Sequence, residues 1–160
     1  MSAWPDEVEH VASVLRAAAI DATIEMFTEE TATAEGAARA VGCRLEQIVK
    51  SLVMVADGVC VLVLVPGDRR ADRTKVATAL GASRVRVASG DEVRGATGFE
   101  PGGVSPFPRA GRIDVLMEGT LLAHPRVWIA AGSPTHVAAL APSDLQRLTG
   151  ARTADLTASG

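Results

Sequence analysis

Residues 49–65 read Val49-Lys50-Ser51-Leu52-Val53-Met54-Val55-Ala56-Asp57-Gly58-Val59-Cys60-Val61-Leu62-Val63-Leu64-Val65. Two β-branched runs flank Asp57-Gly58, a dipeptide that tolerates the positive φ angles of a type I′ turn, so the spacing predicts a hairpin. The second arm is apolar at every position. A strand of that kind needs cover on both faces, which predicts a central place in a sheet. The first arm alternates and sets Lys50 on the same face as Ile48, Leu52 and Met54.

On the N-terminal side, Pro5-Asp6-Glu7 suits the first turn of a helix. Val8, Val11, Ala12, Leu15 and Ala19 then repeat at helical spacing, predicting a helix to about Ala19. Ala22 to Phe27 alternates like a strand, and Thr33 to Val41 reads as a short helix stopped by Gly42. On the C-terminal side, Asp72 caps a predicted helix through Leu80, and Arg84 to Ala88 is a strand. Ser89-Gly90-Asp91-Glu92 matches a capping box. Gly95 to Gly111 is too rich in glycine and proline for a regular element. Ile113–Met117, Val127–Ala131 and His136–Leu140 read as strands, and a last helix starts at Pro142 and ends at Gly150. The expected result is one mixed α/β domain.

Aliphatic side chains must fill its core, because 48% of the chain is hydrophobic while aromatics make up only 3% and Tyr is absent. No apolar run approaches the ~20 residues of a membrane span. The first residues lack the basic start and apolar stretch of a signal peptide. Two cysteines, Cys43 and Cys60, are too few for a disulfide framework, so a reduced cytoplasmic setting is expected. A net charge of −3 argues against avid, non-specific nucleic-acid binding and leaves room for a local basic patch.

Chemistry-bearing motifs are few. His10, His124 and His136 lie far apart without ligand spacing, so neither a metal nor a cofactor is expected. Cys60 falls mid-strand and reads as a structural thiol. Nothing supplies an obvious side-chain nucleophile. Two readings stand for Lys50: an ammonium extended past the strand end to water, or a cation at a pocket lip that holds an anion such as phosphate. The segment 95–108 is either an ordinary long loop or a glycine-lined wall whose N–H groups approach a ligand. Ala131-Gly132-Ser133-Pro134, taken alone, is a turn.

Together these segments resemble the YbaK/prolyl-tRNA synthetase-associated editing domains. Ile48-Val49-Lys50-Ser51-Leu52 is similar to the family's Val-x-Lys-Thr/Ser-Leu strand. Thr97-Gly98-Phe99 with Gly102-Gly103-Val104-Ser105-Pro106 is similar to its TGY…GGISP loop. Residues 72–82 resemble the helix before its "LGA" turn, and 127–145 its closing strand and helix. The resemblance covers about residues 8 to 152 and implies a single α/β domain with a mixed, strongly curved sheet and flanking helices; the domain is expected to span residues 1–156, and the last residues, 157–160, read as a short tail.

It also implies an aminoacyl-tRNA deacylase acting in trans, which hydrolyses the ester of a wrongly attached small amino acid without a protein nucleophile. A non-catalytic aminoacyl-tRNA or nucleotide-binding module of the same fold is the alternative. Under the resemblance Lys50, Gly103 and Gly132 form the catalytic set. Phe27, Ser51, Thr97, Gly98, Gly102, Ser105, Pro106 and Ser133 bind substrate. Arg69, Arg70, Arg73 and Lys75 would meet the tRNA, although a solvated helix face explains those four equally well. The implied partner is the 3′ end of aminoacyl-tRNA, with a synthetase as a further candidate; neither DNA nor a membrane is expected, and a monomer or weak dimer is. Two departures leave the accepted amino acid open. Phe27 stands where the cysteinyl-tRNA deacylase branch has Tyr, and Ala131-Gly132-Ser133-Pro134 stands where it has Ser-Gly-Gly-Lys.

Overall fold

A computed structural model describes residues 4–20, 22–27 and 33–158. Helix α1 (Asp6–Ala17) starts after Pro5, carries Asp6, Glu7 and Glu9 in its first turn, and buries Val8, Val11 and Leu15. It stops two residues short of the expected Ala19, where φ swings to 56° and turns Ile20 back onto the core. Strand β1 (Ile24–Met26) and helix α2 (Ala34–Val41) follow. The Thr33 hydroxyl caps α2 by accepting from the Gly36 N–H.

The hairpin forms as read. Strands β2 (Val49–Ala56) and β3 (Val59–Pro66) pair antiparallel from Val49↔Pro66 to Ala56↔Val59. Asp57 and Gly58 both take positive φ, 48° and 84°, as a type I′ turn requires. The Asp57 carboxylate also accepts from the backbone N–H groups of Ser83 and Arg84, at 3.0 and 2.8 Å. That pins the hairpin tip to the next strand and holds the carboxyl below its usual range.

Helix α3 (Arg73–Leu80), strand β4 (Val85–Val87), helix α4 (Gly90–Thr97), strands β5 (Asp114–Glu118), β6 (Val127–Ser133) and β7 (His136–Leu140), helix α5 (Pro142–Thr149) and strand β8 (Arg152–Ala154) complete the chain. Five strands pair in the order β4-β2-β3-β5-β8, with β3/β5 and β5/β8 parallel. β3 is thus central. Val61, Val63 and Val65 pack toward Val76 of α3, while Leu62 and Leu64 enter the main core with Val11, Ile129 and Leu145. Each such aliphatic side chain contributes ~1.5–3 kcal/mol when fully buried, so β3 anchors both layers. Cys60 is half-buried against the main core.

The other three strands form a separate sheet, β1-β7-β6. The mixed curved sheet is therefore divided in two, joined by a parallel bridge between Ile48 and Trp128. The segment expected to be irregular from Gly95 becomes so only after α4 ends at Thr97. Beyond that it folds inward and buries Phe99, Val104 and Phe107.

The C-terminal stretch departs most from expectation. Strand β8 and two 3-10 turns, Leu45–Gln47 and Gly119–Ala123, are too short to show periodicity in sequence. Residues 157 and 158 are no loose tail. Glu118, 3% exposed, accepts from the Leu156 N–H at 2.9 Å and the Thr157 hydroxyl at 3.4 Å. The Ala158 N–H donates to the Arg70 carbonyl, and the Asp72 N–H to the Leu156 carbonyl. Ser159 and Gly160 lie outside the described residues.

Candidate functional site

Where β2 begins, between the two sheets, a cleft opens with two lobes. The first, about 350 Å³, is lined by Ala34, Glu35 and Ala37 of α2, by Ile48 to Leu52, by Gly67, Gly102 and Val104, and by Trp128, Ile129, Ala130 and Val137. The second, about 450 Å³, runs along β2 past Arg70, Arg73, Val87, Val93 and Pro101. Lys50, Ser51, Leu52, Gly102 and Val104 line both lobes and form the partition. The lysine strand and the glycine loop, 52 residues apart between Lys50 and Gly102, thus meet at one place.

Lys50 is half-buried, and its ammonium donates to the Arg69 carbonyl. Burial pushes its pKa below the usual lysine value and Arg70 pushes the same way, while the carboxylates of Glu35 and Asp68 oppose them. Neither sequence reading of Lys50 describes this in full: the ammonium is tethered by a carbonyl at the partition. The neighbouring Ser51 hydroxyl is buried and has no hydrogen-bond partner, the one such side-chain atom among the described residues. An unpaired buried hydroxyl costs ~1–3 kcal/mol. The oxygen itself is enclosed, so a ligand or water at the partition would recover that cost after a turn of the Ser51 side chain about χ1.

Backbone donors on the loop are distributed unevenly. The Gly103 N–H is spent on the Glu100 carbonyl, at 3.0 Å. Those of Gly102 and Val104 have no partner among the described residues. The expectation that Gly103 presents its N–H to substrate is therefore corrected, because that donor already closes a turn. Gly103 faces the opposite way: a Cβ there would lie 2.9 Å from the Ser133 Cα. Gly132, at φ 98°, likewise sits against α1, where a Cβ would lie 2.6 Å from the Glu7 carbonyl oxygen. Neither glycine is among the residues lining the two lobes.

Several other expected substrate contacts are used internally. Thr97 is fully buried; its hydroxyl donates to the Val93 carbonyl and accepts from the Phe99 N–H. Ser105, also fully buried, accepts from the Phe107 N–H. Gly98 ends α4 and packs on Arg109, and Pro106 lines a separate depression near His10. Ser133 bonds to the His136 Nδ1 and accepts from the Thr135 N–H. Phe27 is half-buried beside that turn, with its N–H on the Thr135 carbonyl. None of these six lines either lobe.

In the basic group, Lys75 is tied to Asp155 at 3.0 Å and to the Thr157 carbonyl at 2.7 Å. Arg69, Arg70 and Arg73 are exposed and have no ion pair among the described residues. Arg70 and Arg73 line the second lobe. Sequence reasoning missed Glu35, Gly67 and Trp128. Gly67 was within reach, because it follows Pro66, the register partner of Val49. A side chain at Gly67 would strike the Leu45 carbonyl at 2.6 Å. Glu35 and Trp128 come from distant elements, and no local pattern marks them.

The site is thus that of an α/β domain whose lysine strand and glycine loop meet between two lobes. Residues 28–148 match the aminoacyl-tRNA editing domain family, and the chain belongs to that family. Its relatives include the uncharacterized protein YwhH of Bacillus subtilis (strain 168), 34% identical over 120 residues that span 74% of this chain and 76% of that protein. The proline–tRNA ligase of Xanthomonas axonopodis pv. citri (strain 306) is 34% identical over 103 residues, 64% of this chain and only 18% of the ligase. A crystal structure described as that of a candidate trans-editing enzyme for prolyl tRNA synthetase superposes with a TM-score of 0.91 at 35% identity, covering 98% of this chain and all of that one. No helix among the described residues is long and apolar enough to cross a membrane.

Proposed function

We propose that the cleft hydrolyses the ester between a small amino acid and the terminal ribose of a mischarged tRNA, acting in trans on the released aminoacyl-tRNA. The observation that carries the reading is the partition: Lys50 with its half-buried ammonium, Ser51 with its unpaired hydroxyl, and Gly102 and Val104 with unspent backbone N–H groups line both lobes. Water adds to the ester carbonyl, the bond from carbonyl carbon to ribose oxygen breaks, and the proton passes to that oxygen. The negative charge that develops on the carbonyl oxygen falls to the N–H groups of Gly102 or Val104, and such fixed donors commonly supply much of a rate enhancement. Ser51 orients the attacking water or the ribose, and Lys50 holds the terminal nucleotide's phosphate. No protein nucleophile takes part.

The first lobe lies at the low end of the ~300–1,000 Å³ typical of ligand pockets, which suits a small side chain. A synthetase active site gains only ~1–3 kcal/mol from one methylene, so small misfits need a second site for removal. The likeness to a proline–tRNA ligase and to a trans-editing enzyme for its synthetase makes mischarged proline-specific tRNA the first pool to test and the prolyl synthetase the first partner. The experiment is a deacylation panel over mischarged tRNAs with wild type and Lys50→Ala. Turnover of one or a few small aminoacyl esters, lost in a normally folded Lys50→Ala, is expected. Binding of tRNA with no turnover on any ester would refute the enzyme and leave a binding module.

A further inference from the structure

Charge is sorted along the cleft. Among the described residues, the charged side chains lining the first lobe are Glu35 and Lys50; those lining the second are Lys50, Arg70 and Arg73, with no carboxylate. Glu35 stands exposed at the mouth on the first turn of α2, has no ion pair among the described residues, and its field reaches the Lys50 ammonium. The line from Glu35 through Lys50 to Arg70 and Arg73 therefore runs from negative to positive.

An aminoacyl ester at a tRNA 3′ end is polarised the other way, with an α-ammonium at one end, phosphodiesters at the other, and the ester between them. Seated with its amino acid in the first lobe, every charge meets its opposite. Reversed, the phosphate faces Glu35 and the ammonium lies among arginines, so both ends repel. We infer that Glu35 reads the free α-ammonium of the substrate, so that the cleft accepts aminoacyl esters and rejects N-acylated ones, peptidyl esters included. This rests on the proposed function for its orientation, and it adds a selection that no size filter would provide. An N-acyl group removes the charge that Glu35 attracts and adds bulk at the mouth beside α2.

The test compares two stable amide analogues, 3′-deoxy-3′-alanylamino-adenosine 5′-monophosphate and its N-acetyl form, in calorimetric titration with wild type, Glu35→Gln and Glu35→Asp. The same comparison is then made in turnover, with alanyl-tRNA and N-acetyl-alanyl-tRNA. Wild type should prefer the free amine about tenfold, the yield of one charge-assisted contact. Glu35→Gln should bring the ratio close to one, and Glu35→Asp should restore part of it. Only the ratio is diagnostic, because loss of Glu35 also alters the field at Lys50 and affects both ligands alike. Equal affinity of wild type for the two analogues, binding of neither, or an unchanged preference in Glu35→Gln would overturn the inference. Absence of turnover on both esters, with the affinity preference intact, would instead refute the hydrolytic reading and leave the role of Glu35 standing.

Discussion

Gly132 separates a role in the cleft from a role in packing. Replacing it with alanine puts a Cβ 2.6 Å from the Glu7 carbonyl oxygen, 2.8 Å from the Glu7 carbonyl carbon and 3.1 Å from the Val8 nitrogen. All three are backbone atoms in the first turn of α1, so no side chain can swing aside. The residue also sits at φ 98°, which side-chain-bearing residues rarely adopt and which costs ~1–3 kcal/mol. Overpacking adds ~1–3 kcal/mol. Gly132→Ala should therefore lose about 2–6 kcal/mol of stability, and a domain of this size shifts by ~2–4 °C per kcal/mol. Calorimetry should show Tm lower by roughly 4–24 °C, with a matching drop in the urea midpoint. Deacylation assayed well below the new Tm should be largely retained. A variant with wild-type Tm and no activity would refute the packing account and return Gly132 to the catalytic set.

Ser51→Ala removes a buried hydroxyl without a partner. Its Tm should hold or rise, while kcat/KM falls about five- to tenfold, the worth of one neutral hydrogen bond; an unchanged kcat/KM would remove Ser51 from the mechanism. Exchanging both Arg70 and Arg73 for alanine should weaken tRNA binding and flatten its salt dependence by about 1.4 in log–log slope, two single-strand phosphate contacts. An unaltered slope would place the RNA elsewhere. Burial holds His136 below the ordinary imidazole value of ~6.5, so on acidification the unfolded chain takes up that proton first. Its contribution to stability is full above about pH 6.5 and declines as the pH falls toward the folded pKa. Urea midpoints measured from pH 8 to 5 should fall in wild type, and His136→Asn should remove that part of the slope. Parallel profiles would show that His136 does not titrate in this way.

The hairpin was legible because Asp57-Gly58 and the unbroken apolar arm leave few alternatives, and β3 duly sits between layers. Helix α3 was legible because Asp72 accepts from the Thr74 and Lys75 N–H groups, a local device that sequence displays. The meeting of the Lys50 strand with Gly102 was foreseen only through the family likeness, since periodicity says nothing about a contact between segments so far apart. Gly103 and Gly132 show the limit of motif reading. A glycine is required both where a ligand approaches and where two backbones touch, and sequence cannot say which side is crowded. Glu35 was invisible for a different reason: on a short helix it looks like any carboxylate favouring a positive dipole end.

The knot of bonds around Glu118 makes distant stretches interdependent. Leu156 and Ala158 hold the backbone of Arg70 and Asp72, and Arg70 forms part of the cleft wall. A protease cut just beyond Ala154 would thus leave β8 whole and still be felt some eighty residues upstream, at Arg70 and Asp72. It would unmoor the run that carries Arg70 and leads into α3, while the hairpin beneath stays whole.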